Sequence, residues 1–359
     1  MKRRLAGGIL LILTATVCLG CQKRETTVVE PEVTPKASIE AVVETPEPTD
    51  THEGEEQSWL TGEWISKEEA NKFRPYAVMF NNIQYASPQS GISEAAILYE
   101  ALAEGGITRL MGIIQKPSGD RIGSVRSARH YFVSVADEYD AIFVHYGQTK
   151  YALSKISELK VDNLSGLEAV GETVFYRDTS IKAPHNAFAS AKGIYAGTET
   201  KGYRTEYREN LSRHFNFYEE DTKLSGTGAN SVSLGFSSYT SPTFTYDEEK
   251  KVYYRNQFKT AHLDAVTGEQ LTFKNLIIQV VSENDIDKNG YQTINFENAT
   301  GTGYYISNGC VQEIRWEKNE SGKAMSYFDG EGKLLTINPG KTYIALYPES
   351  RLDSLKISE

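Results

Sequence analysis

An α+β or α/β N-terminal domain followed by an all-β C-terminal domain, carried on a disordered tether, is the fold class this sequence predicts. Three observations predict it. The chain opens with a charged start, an apolar run and a low-complexity stretch; about 300 residues then remain, more than one hydrophobic core usually holds; and the patterning of those residues changes partway along. The expected divisions are a signal peptide over 1–20, a lipidated cysteine with an acidic tether over 21–58, an N-terminal domain over 59–225 and a β domain over 226–359.

The first segment reads MKRR, then an apolar run from Leu5 to Leu19, then Gly20-Cys21. A positive start, a short apolar core and a small residue at the cleavage point make an export signal. The run falls short of the roughly 20 apolar residues that span a bilayer. Leu19-Gly20-Cys21 resembles a lipobox, although Cys18 stands where Leu is usual. The expectation is therefore a lipoprotein held on the outer face of the cytoplasmic membrane by lipid on Cys21, since several acyl chains anchor stably where one binds marginally. Of the three cysteines, Cys18 would leave with the signal and Cys21 would carry lipid. Cys310, alone in a strand-like stretch, reads as a buried structural thiol.

Residues 22–58 are rich in Pro, Glu and Thr and hold ten acids against three bases. Such a stretch cannot bury enough apolar surface to offset its ordering entropy, and as a coil it would reach about 30–35 Å. The folded remainder is then only mildly acidic, at a net charge of −6 out of the chain's −10. That balance argues against nucleic acid, which needs a basic face. A small anion in a local basic pocket stays compatible with it.

In the N-terminal domain, Tyr76 to Phe80 and Ala141 to His145 are continuous apolar runs of buried-strand length. The helical spacing of Ala128, Phe132, Val135 and Tyr139 predicts a helix over Ser127 to Tyr139. In Ala96 to Gln115, Glu104-Gly105-Gly106 either turns a hairpin between two apolar runs or ends a helix at its C-cap, and the hairpin is the favoured reading. Residues from Leu211 to Ser241 read as the join. After Ser231 the pattern is strand and turn throughout, punctuated at Asp287 to Gly290, Ser307 to Gly309 and Asp329 to Gly332, and ending near Pro348. Its Tyr253, Tyr304, Tyr305, Trp316 and Tyr327 read as core and cross-strand partners, with sugar stacking as the functional counterpart.

Particular residues suggest a family. Arg74-Pro75-Tyr76-Ala77-Val78-Met79 with Asn81-Asn82, Pro88-Gln89-Ser90-Gly91, Tyr99-Glu100 and Glu104-Gly105-Gly106-Ile107-Thr108-Arg109 come first. Gly123 to Arg129, Tyr139-Asp140-Ala141, Ala183-Pro184-His185-Asn186 and Asn338-Pro339-Gly340-Lys341-Thr342 complete the set. Together they resemble the YerB-like lipoproteins of Gram-positive bacteria over nearly all of the chain past the tether. One departure is Ser124, where the family more often has Pro. The resemblance implies a location and a two-part architecture, with no reaction attached, because the family is a domain of unknown function.

The best candidate site is Gly123 to His130, read as a loop entering a helix whose first turns carry Arg126, Ser127 and Arg129. Free backbone N–H groups and guanidinium forks together favour phosphate or carboxylate there. The competing reading pairs those arginines with Glu100, Glu104 or Asp178 in a buried network. His145, at the end of an apolar strand, His185 with Asn186 in a Pro-led loop, and Arg109 are the further residues expected to converge on the pocket.

Enzyme signatures mostly fail. There is no His-Glu-x-x-His, no phosphate loop followed by Lys and no Gly-x-Ser-x-Gly elbow. Ser157 to Lys160 matches Ser-x-x-Lys, but no Lys-Thr-Gly follows. Asp285, Asp287 and Asn289 open a calcium-loop pattern, yet Phe296 stands at position twelve, so a plain polar hairpin turn is the expectation and no metal or cofactor is expected. The sequence thus points to a non-catalytic binding or regulatory factor of the cell envelope, holding an anionic wall precursor or a wall-synthesis protein. The rival is an envelope enzyme acting on a phosphorylated or acylated wall precursor, with His185 or His145 as base.

Overall fold

The computed structural model describes residues 52–319 and 323–359. The expected signal peptide, Cys21 and the expected tether as far as residue 51 lie outside the described residues. The last part of the expected tether is ordered. Glu55–Gln57 forms a strand paired antiparallel with Trp64–Ser66, and Gln57 Nε2 donates to the Tyr218 carbonyl at 2.8 Å, so this short polar stretch is held by pairing that its composition does not reveal.

Tyr76–Asn82 is a strand buried along its whole length. Its two faces enter different cores. Ala77 and Met79 pack with the helix His130–Glu138, through Phe132 and Val135, whereas Tyr76, Val78 and Phe80 pack on the opposite side with Ile194. A strand apolar on both faces belongs in the middle of a covered sheet, which is why the run shows no alternation. The expected hairpin forms from Ile97–Leu102 and Thr108–Ile114, and Gly105 and Gly106 take the positive φ values of 69° and 74° that its turn requires.

Joined side by side, the strands make one twelve-stranded sheet. Its main path runs from Thr227–Gly228 through Cys310–Lys318, Ala299–Ser307, Asn275–Asp285 and Thr342–Pro348. It then passes to Ile97–Leu102, Thr108–Ile114, Tyr76–Asn82, Ile142–His145 and Asn163–Ser165. The two regions of the sequence therefore share a sheet. Thr342–Pro348 lies parallel to Ile97–Leu102, with Thr342 opposite Ile97 and Leu346 opposite Ala101.

A six-stranded sheet that includes Ser231–Leu234, Thr243–Asp247 and Val252–Gln257 covers part of one face. Val232, Phe244 and Tyr253 join Tyr343 and Ala345 in its core. The β region does not end at Pro348: a short 3-10 helix, Glu349–Ser354, leads to a strand, Leu355–Ser358, that pairs with Ser231–Leu234. That last strand alternates half-buried and exposed residues, an edge pattern too weak to separate from a polar tail by composition. The expected join, Leu211 to Ser241, likewise contains the strands Asn216–Phe217, Thr227–Gly228 and Ser231–Leu234. Tyr253, Tyr305, Trp316 and Tyr327 are all buried, as core aromatics.

The helix expected from Ser127 begins at His130 instead. Residues before it stay extended because their N–H groups are committed elsewhere: Val125 donates to Ala187, Arg126 to Met79 and Ala128 to Gly147. Arg129 is the residue flanking the helix start, in extended conformation, and Arg126 lies three residues outside it. Neither arginine stands in a helical first turn.

Candidate functional site

Arg109 and Asn81 are direct partners across two antiparallel strands, so their side chains leave the same face of the sheet. Arg109 is 4% exposed, yet its guanidinium reaches only the Thr108 carbonyl, at 3.4 Å, and its Nε has no partner. Arg126 donates to the Pro184 carbonyl at 3.0 Å, and its Nε too is buried without a partner. Arg129 is different. Its Nε and Nη2 clasp Glu104, the first at 2.6 Å, while Nη1 reaches the Ser127 and Ala128 carbonyls at 3.1 Å. Among the described residues, neither Arg109 nor Arg126 has a carboxylate within ion-pair distance.

Of the three guanidinium groups, only Arg129 meets a carboxylate. Burial, then the charges of Arg129 and Arg126, pull the Arg109 guanidinium down to about 9. Arg126 is lowered by burial and by Arg129, whereas Glu104 overcomes burial and raises Arg129. Glu104 is itself held below the ordinary carboxylate range: burial opposes this, and Arg129 outweighs it. Water is a poor partner for a guanidinium this deep, and an uncompensated buried cation costs several kcal/mol. An anion is the natural complement.

His185 completes the cluster. Its Nδ1 lies 2.9 Å from Asn81 Nδ2, and with the amide donating, the ring carries its proton on Nε2. Burial lowers its pKa, and the charges of Arg126, Arg109 and Lys182 lower it further, so the ring is neutral at pH 7. Asn81 Oδ1 is buried without a partner. Phosphate or carboxylate oxygens placed here would meet the two unsatisfied guanidinium N–H groups.

Other expected residues fall elsewhere. His145 is buried with Nδ1 at 2.8 Å from the Gly147 carbonyl in the loop after its strand and Nε2 at 3.2 Å from Asn163 on the neighbouring strand, so both its nitrogens are engaged by the fold. Asn186 accepts from Arg177 at 2.8 Å and donates to the Asp178 carbonyl, fixing the loop that presents His185. Ser127 Oγ donates to the Tyr146 carbonyl at 3.3 Å. Of the three proposed acidic partners only Glu104 meets the expected arginines: Asp178 pairs with Arg121 at 2.8 Å and Glu100 with Arg255 at 2.6 Å. Asp285 ends the strand Asn275–Asp285, and Asp287 and Asn289 stand in the hairpin turn after it, where Asp287 accepts from Tyr151 at 2.8 Å and from the Asn289 backbone at 2.9 Å. Cys310 is half-buried at the edge of a surface cleft of about 600 Å³ lined by Asp221, Tyr246 and Lys251, away from the arginines.

Sequence reasoning missed the residues that hold the site in place. Gln89 donates to the Asn81 carbonyl at 2.6 Å, and its other amide atom meets His262 Nε2 at 2.5 Å. His262 Nδ1 in turn touches Arg255. Asn81 and Gln89 did carry a signal, as polar residues at the end of an apolar run and in a Pro-Gln-Ser-Gly turn. His262 and Arg255, in a strand-rich stretch with no motif, carried none.

Comparison with known proteins agrees with this architecture. Profiles described as the N-terminal and C-terminal domains of a protein of unknown function (DUF3048) match residues 60–204 and 232–344. "Putative lipoprotein YerB" of Bacillus subtilis (strain 168) is 34% identical over 296 residues, which is 82% of this chain and 86% of the relative. The chain belongs to the YerB-like family. The crystal structure of YerB from Bacillus subtilis matches with a TM-score of 0.74 at 31% identity, over 85% of this chain and 100% of that one. The two YerB-like segments are the two regions that share the central sheet, and Glu100 and Arg255 link them, one residue from each. The relative's name describes a lipoprotein, in keeping with the lipobox-like junction at Cys21. Among the described residues no helix is long and apolar enough to cross a membrane.

Proposed function

We propose that this chain is a membrane-anchored extracytoplasmic binding factor, held by lipid on Cys21 at the outer face of the cytoplasmic membrane, which captures an anionic component of the cell envelope between Arg109, Arg126, Arg129 and His185. The observation that carries this reading is Arg109: a guanidinium almost fully withdrawn from water, without a carboxylate, beside a second one whose Nε is also unsatisfied. A fold that only needed packing there would be better served by Met or Leu.

Thermal denaturation of the purified chain with and without inorganic phosphate tests the anion site. Phosphate at a hundredfold its dissociation constant should add about 2.7 kcal/mol of stability. The gain should vanish in Arg109→Met. Unchanged melting up to tens of millimolar phosphate and sulfate would end the proposal. Lipidation is tested separately, by acyl labelling of cells and its loss in Cys21→Ser.

A second reading makes the same site catalytic, with His185 as general base toward a phosphorylated or acylated wall precursor. It draws on the neutral ring oriented by Asn81 beside two cations that would stabilise developing charge. Turnover of such a precursor that is lost in His185→Ala, with phosphate binding retained, would favour it.

A further inference from the structure

The arginine cluster has an aromatic neighbour that the packing of the fold does not account for. Tyr85 is 59% exposed, and its ring stands edge-on to His185, with centroids 5.5 Å apart at 65°. The ring is held in place: its hydroxyl accepts from the Lys182 backbone at 3.3 Å, and the backbone N–H of its neighbour Gln84 donates to the Tyr239 hydroxyl at 3.0 Å. Tyr239 is itself 43% exposed and packs edge-on to Phe258, 5.5 Å away. Beyond Tyr85 a cleft of about 470 Å³ opens, lined among others by Gln84, Ser87, Phe258 and Thr260. A strip of tethered, solvent-facing rings therefore leads from the cations across to the second half of the molecule.

We infer that the anion held by the arginines is the phosphate of a glycosyl phosphate, whose sugar ring lies on Tyr85, an assignment that rests on the anion reading proposed above. The exposed Tyr85 ring beside His185 selects what the phosphate carries. A fixed aromatic face accepts the C–H side of a pyranose, as tyrosine does where one surface is apolar and its rim is wet. Ser87 and Gln84, in the lining of the adjoining cleft, bring hydroxyl and amide groups of the kind sugar hydroxyls pair with.

The test is calorimetric titration of the full chain in detergent with four probes: inorganic phosphate, glucose, glucose 1-phosphate and a short phosphate-linked glycan. Glucose 1-phosphate should bind about tenfold tighter than inorganic phosphate. In Tyr85→Ala that advantage should disappear while phosphate affinity stays, and Tyr85→Phe should restore it, because the ring face and not the hydroxyl carries the contact. Arg109→Met should abolish binding of both. Equal affinity for phosphate and glucose 1-phosphate, or an advantage that survives Tyr85→Ala, overturns the sugar inference and leaves the anion site standing. No binding of any anion overturns both. Tighter binding of the glycan than of glucose 1-phosphate would identify a polymer as the source, and equal binding a single phosphorylated sugar.

Discussion

Glu100 and Arg255 lie 2.6 Å apart with both side chains wholly removed from solvent, and they come from the two different segments of the family. The carboxylate is saturated. Asn82 and Thr108 donate to one oxygen at 3.0 and 2.6 Å, and Tyr343 joins Arg255 on the other at 2.8 Å. A buried pair of this kind adds little over a well-packed apolar one, but halving it leaves a charge stranded. Glu100→Gln should therefore cost about 3–5 kcal/mol, the range for breaking a buried pair, read as a lowered midpoint in urea. A loss below about 1 kcal/mol would show that water or a neighbour takes over the Arg255 charge.

The same ion pair shows what was legible in the sequence. Apolar runs such as Tyr76 to Phe80 declare a buried strand by themselves, and Gly105-Gly106 declares a turn, because both depend on local chemistry. The partition into a region mixing strands and helices and a second, strand-and-turn region follows from a change of texture. That Thr342–Pro348 would insert beside Ile97–Leu102 depends on a pairing about 245 residues apart, a long-range choice that no local pattern encodes. The arginines were named from the sequence for a partly mistaken reason. Helical spacing suggests a first turn at Ser127, whereas the N–H groups of Val125, Arg126 and Ala128 go to Ala187, Met79 and Gly147. What gathers Arg109, Arg126 and His185 is strand register, through Asn81, and register is invisible until the sheet is built.

Arg109 offers a prediction with the opposite sign to most core substitutions. Its buried charge has no carboxylate in direct contact among the described residues, so Arg109→Met should raise stability by about 1 kcal/mol or more while removing anion binding. Paired urea denaturation and phosphate titration would measure both. A destabilised variant would mean that Arg109 holds the fold through contacts its hydrogen bonds do not reveal.

Trp316 supplies an optical probe of the second region. Its indole Nε1 donates to the Val280 and Thr302 carbonyls at 2.9 and 3.0 Å, and the ring lies over Gly301, where an added Cβ would come within 2.5 Å of it. Gly301→Val must push the ring aside, at the cost of about 1–3 kcal/mol usual for overpacking. The expected reading is a red-shifted tryptophan emission with a lowered midpoint. Unchanged emission would mean that the strand shifts and the ring stays.

Acid should weaken this protein at a higher pH than carboxylates alone would dictate. His130, His145, His185, His214 and His262 are all held below the ordinary value of 6.5, each by burial first, and His130 is pushed down to about 4. The sign follows from proton counting. Between about 4 and 6.5 the unfolded chain binds protons that the folded one refuses, so stability falls as the pH drops through that window. Glu104 and Asp264 are held below their ordinary range, against burial, by Arg129 and by backbone and Ser93 donors respectively, so their contribution is lost only at lower pH, as they become protonated. Urea midpoints at pH 7.5, 6.0 and 5.0 should therefore decline steadily. A flat response down to pH 5 would require water to reach the buried rings, His262 above all, which sits against Arg255 and Gln89 and has no acid beside it to stabilise its charge.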